Sequence, residues 1–333
     1  MLRRVGLIAL TSVTLVAAAS GAPPNPALAS QELVPGENRL IQLYRDYRPT
    51  VVKVKFATQT TDENGKEKIA LTVQSGFYID AKGTVLTNAV PTQKGPRLRV
   101  EKDGLQMLAV PIASDARSNI ALLQVAKPPA GIQYVDLANA LPPPAIGSLA
   151  YAITSPLDLA PTPKLGIVTG RESSFSQIDF PCSYLRIGIS SGPAEGGSPV
   201  FASDGSLMGM SVASLPDVNS SYIVPNASLK HIVDQLLAKG KVFHPSLDAK
   251  IIERIDPITL ERSLVVSEIE TGSAAKKSGL KRGDQILSFE SKPISSINEW
   301  RDALFSSQAE QFVSITVQRG ETESEIALLL TDG

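Results

Sequence analysis

The sequence predicts a mainly β protein, and three observations carry that prediction. From Val51 to about residue 225, short apolar or alternating runs are punctuated by Gly, Pro and Asp, the signature of many short strands joined by turns. Asp204-Gly205 stands between two β-forming runs, a strong hairpin signal. Helical periodicity is confined to a few short stretches. This pattern leaves a sandwich and a barrel equally open.

The chain has 333 residues, 43% of them hydrophobic, enough for two or three domains with their own cores. Lys plus Arg number 32 against 33 Asp plus Glu, with no run of like charge, so neither nucleic acid nor an anionic membrane is implied as a partner. Arg3 and Arg4 precede the apolar stretch Val5–Ala19, and Ala27-Leu28-Ala29 follows. Residues 1–29 therefore read as a secretory signal peptide cut before Ser30, with an uncleaved anchor as the alternative. The expected address is the periplasm or cell envelope. Cys182 is the single cysteine, so no internal disulfide is available.

Leu40, Ile41, Leu43 and Tyr44 recur at roughly helical spacing until Pro49. Residues 30–48 form an N-terminal segment, and strands begin with Val51–Phe56. Leu229, Ile232, Val233, Leu236 and Leu237 form an amphipathic helix stopped at Gly240. Ser296 with Glu299 three residues on makes a capping box that starts a second helix.

The loop Gly188-Ile189-Ser190-Ser191-Gly192-Pro193-Ala194-Glu195-Gly196-Gly197-Ser198-Pro199-Val200-Phe201 resembles the serine loop of HtrA/Deg-type trypsin-like proteases. Ser75–Asn88, Ala152–Leu157 and Gly166–Thr169 are similar to other pieces of that family, in the same order. The resemblance implies two six-stranded β-barrels over residues 49–240, with Leu141–Pro144 in the connection between them. Residues 241–258 are expected to be a linker or lead-in strand. Residues 259–333 resemble an α+β PDZ domain of the HtrA type, through Leu264–Ile269, Gly272–Ala275 and Ser278–Leu287.

Laid on the family pattern, the histidine position is Val90, the carboxylate position Asn119 and the nucleophile position Gly196. A serine protease of this fold needs a hydroxyl, an imidazole and an orienting carboxylate. The chain's two histidines, His231 and His244, fall on the closing helix and in the segment after it. All three triad positions are thus changed, and the reading at this stage is a catalytically inactive homologue. Ser190, Ser191 and Ser198 are rival nucleophiles, with Lys164 as a base that spacing cannot place. No metal-ligand spacing or phosphate loop is present, so no cofactor or metal is implied.

What the resemblance leaves is binding. A PDZ domain takes a peptide as an added strand, here expected between Leu264–Ile269 and the helix Ile297–Phe305. Arg262, Ser263, Leu264, Val265 and Val266 are the expected peptide-binding residues on the strand side. Ile297, Trp300 and Leu304 share one helix face and complete the set. The expected function is an exported pseudoprotease that binds polypeptide segments or protein C-termini, as adaptor, chaperone-like holder or regulator of active HtrA relatives. The alternative is an active endopeptidase with a relocated nucleophile. The resemblance also implies a homotrimer, with Tyr44, Tyr47 and Phe56 as candidates to contribute.

Overall fold

The computed structural model describes residues 35–61, 65–91, 98–138, 142–157, 159–176, 178–308 and 310–333. The expected signal peptide and Leu141 lie outside them. Among the described residues, no helix is long and apolar enough to cross a membrane.

Helix α1 (Pro35–Tyr47) opens the described chain. Six strands follow: β1 (Val51–Thr61), β2 (Glu67–Tyr78), β3 (Thr84–Thr87), β4 (Arg99–Lys102), β5 (Leu105–Asp115) and β6 (Ile120–Val125). They close into a barrel in the order β1-β2-β3-β6-β5-β4, sealed by Val54 opposite Val100. Closure leaves no open sheet edge, which answers the aggregation hazard of unpaired strands. Val54, Tyr78, Val85, Val100 and Leu123 fill the interior.

A second barrel repeats the order with β7 (Leu149–Thr154), β8 (Thr162–Phe175), β9 (Ile178–Ile187), β10 (Pro199–Phe201), β11 (Leu207–Leu215) and β12 (Ser220–Pro225). The pattern could not choose between sandwich and barrel; the structure has two closed six-stranded barrels. Between them lies a further apolar layer that includes Leu86, Ile120, Met210 and Val224 and the closing helix α2 (Asn226–Lys239). Gly240, at φ 70°, caps α2 with its N–H on the Leu236 carbonyl, a left-handed C-terminal cap that glycine adopts freely. Cys182 is completely buried in this layer, and burial pushes its thiol up to about 12. It behaves as a small apolar side chain.

The C-terminal half of α1 sits on the second barrel. Tyr47 stacks on Phe201 at 4.1 Å and donates to the Gly205 carbonyl, while Tyr44 donates to the Pro161 carbonyl. Phe56 is inside the first barrel at 5% exposure. Its proposed part in assembly is therefore corrected to core packing.

The third layer is built by β13 (Pro245–Ser246), β14 (Ala249–Ile255), β15 (Arg262–Ile269), α3 (Ala274–Lys277), β16 (Gln285–Phe289), β17 (Lys292–Pro293), α4 (Ile297–Phe305), β18 (Phe312–Arg319), β19 (Thr322–Leu329) and β20 (Thr331–Asp332). Its main sheet runs β14-β15-β16-β18-β19, and β13 pairs with β20. Of the two readings of residues 241–258, the lead-in strand holds for Ala249–Ile255, the edge strand of the PDZ sheet. The expected boundary at residue 258 falls inside the β14–β15 connection, because β14 is short, mostly exposed and followed by the turn-forming Asp256-Pro257.

Helix α4 starts at Ser296, whose hydroxyl accepts the Glu299 N–H. The Glu299 carboxylate accepts from the Ser296 backbone as well as from Ser295, so the expected box is formed and extended by one residue. One face of α4 packs into the PDZ core through Trp300, which meets Phe289 edge-on at 5.6 Å. The other face docks on the second barrel. Asp302 accepts from the Arg171 guanidinium and from the Ser183 N–H and hydroxyl, and Arg301 pairs with Asp179 at 2.5 Å. Phe305 belongs to the barrels' apolar layer rather than to the PDZ core.

Asp302→Ala leaves a guanidinium and an amide without their acceptor, and a loss of about 1–3 kcal/mol is expected. Denaturant unfolding checks it, and an unchanged midpoint would remove Asp302 from the docking contact.

Candidate functional site

The loop joining β9 to β10 runs between the barrels, and its backbone is tied at nearly every residue. Ser75 donates its N–H to the Gly196 carbonyl at 2.9 Å and its hydroxyl to the Ala194 carbonyl at 2.9 Å. Gly197 donates to the Ser211 carbonyl at 2.8 Å, and the Ser198 hydroxyl donates to the Glu195 carbonyl at 2.6 Å. Gly197 has φ 85°, and a Cβ there would stand 2.2 Å from the Ser75 carbonyl oxygen. No other residue type fits that close approach of two backbones. Ala194 holds φ 70°, a conformation that costs a non-glycine residue energy and persists only where its surroundings enforce it.

The next residue anchors the loop through an ion pair whose acid is buried and whose lysine is partly exposed. Glu195 is 2% exposed. Its carboxylate accepts from Lys164 Nζ at 2.5 Å, from Thr154 Oγ1 at 2.8 Å and from the Gly192 N–H. Lys164 also donates to the Ser190 carbonyl at 2.8 Å. Lys164 comes from β8 and Thr154 from the end of β7, so two strands of the second barrel hold one side chain of the loop. A buried carboxylate survives only when paired and hydrogen-bonded, and this one is both.

The three positions carried over from the family pattern lie around the Asn88–Ala89 segment. Asn119, at φ 58°, accepts the Ala89 N–H on Oδ1 and donates from Nδ2 to the Val212 carbonyl across to the second barrel. Val90 is 5% exposed in the core of the first barrel. The space a side chain at Gly196 would take is filled by Asn88, whose Nδ2 lies 2.5 Å from the place of that Cβ. Ser198 is 1% exposed and its hydroxyl is committed to Glu195. Ser191 is half-buried, with Oγ 3.3 Å from Ser211 Oγ. His231 bonds Gln235 and His244 bonds Asp115, so neither imidazole is paired with a loop hydroxyl.

In the PDZ domain the expected strand side of the groove needs correction. Arg262, Ser263, Leu264, Val265 and Val266 lie on β15, which has β14 on one side and β16 on the other. A strand with both edges in use cannot take a third partner. Leu264 and Val266 are core residues, and Arg262 pairs with Glu253 at 2.6 Å. Among the described residues, no strand pairs with the other edge of β14. Across from it stand Ile297, Trp300 and Leu304 of α4, and the cavity of about 880 Å³ that they help to line extends to Arg117, Ser173, Ser174 and Asp179 of the barrels.

The sequence of residues 74–210 matches the trypsin-like peptidase domain, and that of residues 253–330 matches the PDZ domain. The chain is of the HtrA type. It is 26% identical over 311 residues to a DegP-like periplasmic serine endoprotease of Marinomonas, covering 90% of this chain and 64% of that protein. It is 28% identical over 246 residues to the periplasmic serine endoprotease DegP of Escherichia coli, covering 70% of this chain and 51% of that protein. The chain thus spans between half and two thirds of the length of these relatives. Among solved structures, the HtrA-type protease AlgW with a tripeptide superposes with a TM-score of 0.71 at 17% identity, covering 88% of this chain and 96% of the other. The Yersinia pestis serine endoprotease superposes at 0.58 and 20% identity over 88% of this chain and 98% of the other. These likenesses establish the shared HtrA fold.

The relatives overturn one expectation. The chain was read as a non-enzyme from its changed triad positions, but the proteins it matches along most of its length are named serine endoproteases, and nothing in the comparison marks it as inactivated. Changed residues at the three aligned positions are an incomplete guide, because they say nothing of the other hydroxyls in the loop.

The Glu195–Lys164–Thr154 cluster was not found from sequence. Its one signal was an isolated acid in a run of Gly, Pro, Ala and Ser; the lysine lies 31 residues upstream and only the fold joins them. Lys164→Met strands a buried carboxylate and is expected to cost about 3–5 kcal/mol, with partial recovery when Glu195→Gln is added. Thermal unfolding of the two variants checks it. Gly197→Ala is expected to cost about 3 kcal/mol or more, since backbone must move. Gly196→Ala should cost about 1 kcal/mol, because only the Asn88 amide has to swing aside. Equal losses at the two glycines would sink this account of the loop.

Proposed function

We propose that the chain is an exported, polypeptide-binding protein of the HtrA type, which takes an extended segment as an added strand on β14. The observation that carries this reading is the unpaired edge of β14 facing Ile297, Trp300 and Leu304 across an open groove. An edge strand offers the backbone of a ligand a row of hydrogen bonds, and apolar side chains beside it choose among ligands. The chemistry fits polypeptide segments, protein C-termini among them. The AlgW structures with a tripeptide and with a decapeptide support a peptide ligand, and the periplasmic relatives support an envelope address. The family likeness supports a homo-oligomer, a trimer by resemblance.

Titrating labelled decapeptides with apolar C-termini into the full chain, read by anisotropy, tests the groove. Leu304→Asp is expected to weaken binding at least about tenfold, equivalent to about 1.4 kcal/mol. Equal affinity in the variant would exclude the groove as the site.

A second, compatible reading concerns the barrels. The relatives are named serine endoproteases, and the half-buried Ser191 stands in the loop beside Ser211, one residue from the carbonyl that Lys164 binds. This reading makes the domain an endopeptidase whose hydroxyl is Ser191 rather than a residue at position 196. A fluorophosphonate probe should then label the wild type and Ser198→Ala but not Ser191→Ala, in parallel with casein cleavage. A wild type that neither labels nor cleaves would end this reading and leave the binding function standing.

A further inference from the structure

Lys276, Lys277, Lys281 and Arg282 place a knot of cations in a chain whose formal net charge is -1. All four residues are exposed. Among the described residues, the ion pairs made within residues 249–333 are Arg262–Glu253 and Arg319–Asp284. None of the four cations enters an ion pair. Like charges this close repel one another, so their favourable partner is an anion from outside.

The backbone that carries them is pinned. The Ser273 hydroxyl accepts the Lys276 N–H at the start of α3. Asp284 is 1% exposed and accepts the Lys281 N–H at 2.8 Å, while Gly283 donates to the Val266 carbonyl at 2.8 Å. Arg319 binds both oxygens of Asp284 and reaches the Gly279 carbonyl. The one carboxylate of this turn is thus spent on Arg319, which leaves Lys281 and Arg282 without it. A ligand meeting these cations finds their backbone already ordered, which lowers the cost of binding.

Lys276, Lys281 and Arg282 stand on the wall of a cavity of about 620 Å³, whose apolar lining is Leu280 and Ile269. Its one carboxylate is that of Glu268, which stands opposite Lys250 in the β14–β15 register. Cations therefore outnumber acids on the wall. Glu268 and Ile269 also line the cavity beside β14, so the two cavities adjoin. We infer that the cationic cavity is a subsite for acidic side chains of the same segment that β14 takes up. The chain then selects polypeptides that carry a run of Asp or Glu next to their apolar part. This inference rests on the peptide-binding reading and adds a charge requirement to it.

Continuity with the β14 cavity is what favours a polypeptide over a free anion or an anionic surface. One chain can lay its backbone on the strand edge and its carboxylates on the cations beyond Glu268. An Arg guanidinium can meet a carboxylate with two parallel hydrogen bonds, and the lysines act as point charges. A single exposed cation–carboxylate contact is worth at most about fivefold in affinity, so three together give about tenfold or more. Because the contacts are exposed, added salt screens them. Lys277 stands outside the cavity lining and carries the same charge, which makes it a control for charge alone.

The test compares an apolar decapeptide with the same peptide extended by three glutamates at either end, titrated into the full chain by anisotropy. One extended peptide is expected to bind about tenfold or more tightly than the parent at low salt, with the gain lost at high salt. The variant Lys276→Gln/Lys281→Gln/Arg282→Gln should lose the gain and bind the parent as the wild type does, which also shows that it is folded. Lys277→Gln should keep the gain. Parent binding with no gain from either extension overturns the subsite alone, as does a gain that survives the triple variant or falls equally in Lys277→Gln. A parent peptide that fails to bind overturns the β14 reading and the subsite with it. Capture of the chain by phosphatidylglycerol vesicles, without a peptide gain, would assign the cations to an anionic surface and overturn the subsite too.

Discussion

The close passage of two backbones at Gly197 is the constraint on which the architecture turns. Ser75, from the first barrel, reaches into the loop of the second and binds it at Ala194 and Gly196. That reach is possible only because residue 197 has no side chain to block it. Asn119 makes a reciprocal bridge from the first barrel to Val212. The barrels are therefore joined by main-chain hydrogen bonds as well as by apolar packing, and the loop between them is part of the joint. Its conformation is a property of the whole double barrel, which explains how Ala194 tolerates a left-handed backbone.

The same economy governs the attachment of the PDZ domain. Helix α4 has two roles set by two faces: Ile297, Trp300 and Leu304 wall the groove, while Asp302 and Phe305 grip the barrel. Polar anchoring comes from Asp302, whose acceptors are satisfied by groups of β8 and β9. Strand β8 also carries Lys164 to the loop. Groove helix and loop thus rest on one strand, and neither can be repositioned without a change in how β8 is loaded.

Much of this was legible in the sequence, and the limits are instructive. The strand pattern and the Asp-Gly hairpin were readable because a two-residue period and a turn are local facts. The helix cap at Ser296 was legible for the same reason. The groove strand was misplaced because β14 is an edge strand: half exposed, it lacks the unbroken apolar run that announced β15. The Glu195 cluster was invisible because its three members come from a loop and two separate strands and none is unusual alone. In sequence the two histidines are simply a residue of the closing helix and a residue of the segment after it. Only the docking of α4 shows that they share one aromatic ring, that of Phe305. Family alignment carried the triad positions but could not weigh the loop's remaining hydroxyls, and the named relatives correct the conclusion drawn from it.

The pairing of β13 with β20 has a consequence for the durability of the C-terminal unit. Pro245 and Ser246 lie opposite Asp332 and Thr331, and Thr331 adds side-chain bonds to Ser246 and Asp248. Entry and exit of the unit are stitched together, so its polypeptide path is effectively a ring. A peptide bond severed at the exposed tip around Ile258 would open that ring without freeing either fragment, since each remains sewn to the other through the sheet. Such a nick converts a covalent constraint into a non-covalent one at the modest entropic cost of a longer loop, and the two pieces would travel as a single body until denaturant parts them.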